Sequence, residues 1–93
     1  MTTSTPTDAL YMSDWELINH PDDYRRHYIT GHKVTVTGDP DLGGTASLNV
    51  QGEQDQHGHV TRYVYLDGSG AFTAAQLRTL AAECLNMADQ LDG

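Results

Sequence analysis

Residues 72–93, FTAAQLRTLAAECLNMADQLDG, constrain the fold more than any other stretch of the chain. Thr73 and Gln76 have the T-x-x-Q spacing of a capping box, in which each side chain satisfies a backbone N–H left free at a helix start. Phe72 stands where it can staple onto Leu77 across that box. Leu77, Leu80, Ala81, Cys84, Leu85, Ala88 and Leu91 then recur at helical spacing, while Arg78, Thr79, Glu83, Asn86, Asp89 and Gln90 fill the opposite side. This is the stripe of a helix lying on a sheet, and it is too short for a free coiled coil. The reading places all seven stripe residues against the sheet, Cys84 among them as a small core residue. Gly93 takes the position of a C-terminal glycine cap.

The sheet is read from alternation. Residues 32–37 (HKVTVT) put Val34 and Val36 on one face, and residues 45–51 put Ala46, Leu48 and Val50 inward with Ser47 and Asn49 outward. Residues 60–66 (VTRYVYL) form a third strand, with Tyr63 and Tyr65 sharing a face. Glycine-rich polar segments separate these runs, and connections so short require antiparallel neighbours. The expected fold is α+β: a three-stranded antiparallel β-meander with one C-terminal α-helix packed on one face, in the order β-β-β-α. An irregular, aromatic-anchored segment precedes it over residues 10–32, with Ser13 and Glu16 reading as a capped turn that Pro21 ends. Residues 1–9 are small and polar and read as a disordered tail, leaving residues 10–93 as a single small domain.

The chain has 93 residues with 13 Asp+Glu against 5 Lys+Arg, a formal charge of −8. Without a basic stripe, direct nucleic-acid binding is not expected. No apolar run approaches the roughly 20 residues of a membrane-spanning helix, and the first ten residues lack the pattern of a signal peptide. Membrane association is therefore not expected. One cysteine permits no intrachain disulfide, which fits a cytoplasmic location.

No catalytic arrangement emerges. Ser69 lacks the spacing of a nucleophile elbow, and Gly43-Gly44 lacks the Lys and Ser/Thr of a phosphate loop. Cys84 has no base in its local sequence. Neither enzymatic activity nor a cofactor is expected. The histidines form two groups, His20, His27 and His32, and the pair His57 and His59. A structural zinc needs four ligands in tetrahedral array, and Asp14, Asp22 or Asp23 could add a carboxylate. The spacing of His20, His27 and His32 follows no compact pattern, so a histidine-ligated zinc domain built on them is the alternative reading, and no metal is expected.

Trp15, His20 and His32, followed by strands and by the Leu/Ala helix of residues 72–93, resemble a family of small actinobacterial and actinophage proteins with no established activity. Many members place a cysteine after the tryptophan and histidines at short spacing, which implies a metal site in them. Here Glu16 follows Trp15. The resemblance implies a phage-related source and a small α+β fold.

The function expected is that of a small acidic adaptor or inhibitor that binds another protein, steered by its charge toward a basic surface. The candidate binding residues are Tyr63, Tyr65 and Trp15. Two arrangements stay open: the Trp15 segment folds back over the tyrosines, or their face meets a second molecule. A homodimer is also expected, through a sheet edge or the Tyr63/Tyr65 face, because so small a core and two open strand edges favour association, and the Leu/Ala helix, its stripe widened by Ala74, Ala82 and Met87, could add a second contact.

Overall fold

Strand β3 runs for 15 residues, Asp23–Thr37, against the six that alternation alone predicts, because it begins well before the HKVTVT run. A computed structural model describes residues 3–92. Strands β4 (Thr45–Asp55) and β5 (Val60–Ser69) follow β3 as the expected antiparallel meander. Two more strands, β1 (Ala9–Met12) and β2 (Glu16–Asn19), pair antiparallel with the outer edge of β3's first half. The sheet therefore has five strands, where three and an irregular segment were expected. The reason is that charged and aromatic residues mix between positions 10 and 32 without one clearly polar face, so period-two alternation gives no signal. Ser13 does not cap a helical turn. Its N–H donates to the His27 carbonyl at 2.7 Å and its hydroxyl accepts the His27 N–H at 2.8 Å, continuing the ladder between β1 and β2.

Met1, Thr2 and the expected cap at Gly93 lie outside the described residues. Residues 3–8 run against the sheet: the Gln54 amide donates to the Ser4 carbonyl at 2.8 Å, and Asp8 pairs with Arg62 at 2.7 Å. Ala9 already belongs to β1.

A bulge divides β3. Ile29 pairs with Gln51 and Lys33 with Asn49, so Thr30, Gly31 and His32 stand opposite Val50 alone. The Asn49 amide donates to the carbonyls of Thr30 at 3.3 Å and His32 at 3.1 Å, and the Thr30 hydroxyl donates to the Val50 carbonyl at 2.9 Å. Because the excess is an even number of residues, the alternation of faces survives it. Tyr28, Val34 and Val36 thus all project to the side that also carries Ala46, Leu48 and Val50. Tyr28 is fully buried on its cross-strand neighbour Gly52, where any side chain would occupy the space of the ring.

Helix α1 (Ala74–Asp92) closes that side. Its capping box forms as predicted: the Thr73 N–H donates to Gln76 Oε1 at 2.8 Å and the Gln76 N–H to Thr73 Oγ1 at 3.2 Å. Its orientation is not the predicted one. Met87, 1% exposed, meets Leu48 and Val50, with Leu80 and Leu91 packed beside it. Leu77 is 51% and Leu85 68% exposed, and Ala81, Cys84 and Ala88 are also at the surface. Cys84 is therefore not a core residue. At 100° per residue, the predicted stripe is centred roughly 80° around the helix from Met87. Counting Met87, the apolar arc spans roughly 160°, more than one sheet contact covers, and the sheet takes one margin of it.

Met87→Ala is expected to lower the free energy of unfolding by about 2–5 kcal/mol, as for other buried large-to-small changes. Leu42→Ala, in the exposed β3–β4 connection, should change it by about 0.5 kcal/mol or less. Urea denaturation of the two variants checks this, and equal losses would contradict the helix orientation.

Candidate protein-binding faces

The odd-numbered residues of β4 and β5 project away from the helix. The register sets Asn49 beside Tyr65 and Gln51 beside Tyr63, and β3 adds Ile29 and Lys33. Neither α1 nor residues 3–8 lie on this side. Tyr65 is 57% exposed, and Ile29 and Leu10 are exposed as well. With Ser47, Asn49 and Gln51 they line a shallow concavity of about 450 Å³. Its floor is held in place from within. The two bonds from the Asn49 amide to the β3 bulge fix that side chain, and its Oδ1 accepts a bond from Gln51 Nε2 at 3.2 Å. Tyr63 is less exposed than Tyr65, and burial, with Glu53 nearby, pushes its phenol above the ordinary value.

Trp15 is not part of this face. The Arg26 guanidinium lies 4.6 Å from the centre of the indole. The same guanidinium donates to Gln54 Oε1 at 2.9 and 2.7 Å, and Gln54 is buried on the helix side. The sheet thus separates Trp15 from Tyr63 and Tyr65, and the Trp15 segment does not cover the tyrosines.

The histidines are dispersed. His20 lies in the β2–β3 turn, His27 in β3 with Nδ1 3.7 Å from Glu53, and His32 in the bulge. Among the described residues, no three His, Cys, Asp or Glu side chains converge where a metal could be held. His57 and His59 serve the β4–β5 turn, where the Asp55 carboxylate accepts both of their backbone N–H groups at 2.9 Å. Among the described residues no helix is long and apolar enough to cross a membrane.

A second face lies where the helix is expected to add its contact. Val64 and Leu66 of β5 border an apolar groove of about 240 Å³ with Cys84 and Ala88 of α1, over Met87 and Leu91. Leu66 is 57% exposed, and beyond the groove stand Leu77, Ala81 and Leu85. The signal is present in the width of the apolar arc, since Met87 extends it past the seven stripe residues.

The end of the sheet away from the helix start is tied by ions. Arg25 donates to both carboxylate oxygens of Asp23 at 3.1 Å and to Glu53 at 2.8 Å. The Arg25 bond, then the Asn19 amide at 2.7 Å, hold the Asp23 carboxyl below its ordinary value of 3.8. At Asp55, burial pulls upward, but the bonds from His59 and His57 together outweigh it and the carboxyl is again lowered. A carboxyl depressed by folding contributes stability above its unfolded value and loses it as pH falls through the folded one. Stability should therefore drop below about pH 4. Asp23→Asn should flatten part of that drop in thermal melts between pH 5 and pH 2, and an unchanged slope would contradict the assignment.

No family model matches the chain, and no curated protein or solved structure matches it either.

Proposed function

We propose that this chain is a small acidic protein that acts by binding another protein, as an adaptor or inhibitor, and that it does so through the uncovered sheet face. The observation that carries this reading is the exposure of Tyr65, Ile29 and Leu10 around a polar floor already fixed by Asn49 and Gln51. Tyrosine supplies large contact area and a polar tip at little entropic cost, and a preset floor reduces what binding must order. The net charge of −8 favours approach to a partner with a basic surface and makes association faster at low salt. A cytoplasmic setting and a phage-related source, implied by the single cysteine and by the resemblance, belong to the same reading.

The test is capture from a lysate of the producing cells on three immobilised forms: wild type, the Tyr65→Ser/Ile29→Ser double variant, and Leu85→Asp. The expected result is a protein held by wild type and Leu85→Asp, bound at least about 10-fold more weakly by the double variant, and released by salt. Circular dichroism of each variant checks that it remains folded. The same proteins retained on all three columns, or none on any, would count against the reading.

A further inference from the structure

Helix α1 meets the sheet with only one margin of its apolar arc, and the rest faces outward on the β5 side. That outward arc holds Ala74, Leu77, Ala81, Cys84, Leu85 and Ala88 and carries no charge until Asp92 in the last turn, in a chain with 18 charged side chains among 93. Beside it lies β5, ten residues long and, among the described residues, paired only with β4. An unpaired strand edge is a template for a further strand unless proline, lysine or a covering segment blunts it. β5 has neither proline nor lysine, and its one cation, Arg62, is turned onto Asp8. An open strand edge and an adjoining apolar helix face thus form one continuous strip.

We propose that this strip takes a second copy of the chain, the two β5 strands pairing antiparallel about a two-fold axis while the outer faces of the two α1 helices meet above them. An antiparallel edge is complementary to itself, and an apolar face is matched by its own copy, as an isologous interface requires. A register centred on Tyr65 sets Leu66 opposite Val64 of the second copy on the helix side; one centred on Val64 would set Leu66 against Arg62.

The areas agree. Ten strand residues reach about 33 Å and the two layers together are about 20 Å deep, so each copy offers on the order of 600–700 Å². Stable interfaces take about 800 Å² from each partner, with roughly 600 Å² as the lower bound. The chain exposes 6130 Å², about 800 Å² more than a compact monomer of 10.2 kDa would. Two copies at −8 repel, and salt screens that repulsion over about 10 Å at 0.1 M. The dimer therefore tightens as salt rises, the opposite of the response expected for a basic partner on the other face.

Sedimentation velocity of the full chain from low to high micromolar concentration, at low and moderate salt, tests the proposal. The expected result is twice the monomer mass at high concentration, favoured by salt. Leu85→Asp and Leu77→Asp should each weaken association about 30-fold or more while leaving the circular dichroism unchanged, and Ile29→Thr should leave it intact. In the wild-type chain, the reaction of Cys84 with a thiol reagent should slow as protein concentration rises, a readout that needs no variant. A monomer at every concentration and salt, or constant Cys84 reactivity, would overturn the proposal. So would a monomer whose strip is occupied by a different protein lost on Leu85→Asp.

Discussion

One thin contact sets the rest of the architecture: Met87, flanked by Leu80 and Leu91, against Leu48 and Val50. A single helix about 28 Å long cannot cover a sheet whose central strand alone runs 15 residues. The result is an elongated body of 49 × 26 × 19 Å, with a radius of gyration of 16.3 Å where a compact chain of this length has about 12 Å. Surfaces that a larger protein would bury are therefore left facing outward. Both exposed faces follow from that shortage.

The half of the sheet beyond the helix holds together by different means. Tyr28 fills the space left by Gly52, the most economical cross-strand fit available to a chain with few large apolar residues. The Tyr28 hydroxyl is buried without a hydrogen-bond partner among the described residues, but beside it Gln54 is buried and donates to Ser4 and accepts from Arg26, and Arg26 in turn lies over Trp15. Buried polar groups that are satisfied in this way fix one arrangement of the N-terminal segment on the sheet. Trp15 is thereby engaged in holding the fold, and the tyrosines on the far side remain available.

Alternation and capping were legible wherever one face was buried and the other wet. Val34, Val36, Leu48 and Val50 point to the helix, and the Thr73/Gln76 box starts it, as the residues alone indicate. β1 and β2 were not legible, because their pairing rests on backbone bonds and on Ser13 rather than on an apolar face. The helix rotation was not legible for a different reason. Periodicity locates the centre of an apolar arc, but Leu85 and Met87 lie on opposite margins of it, and only the sheet decides which margin it receives. Of the candidate site, Tyr65 and its polar neighbours were visible in the strand pattern. Leu10 and Ile29 were not, since both sit in the segment where alternation failed.

The central claim is that the outward margin of α1 and the free edge of β5 form one surface for a second copy. Amide hydrogen exchange of β5 at two protein concentrations tests it most directly. The β5 N–H groups not bonded to β4 should exchange rapidly in dilute protein and become protected at high micromolar concentration, while those of β4 stay protected throughout. Rapid exchange of the same β5 groups at both concentrations would contradict the account.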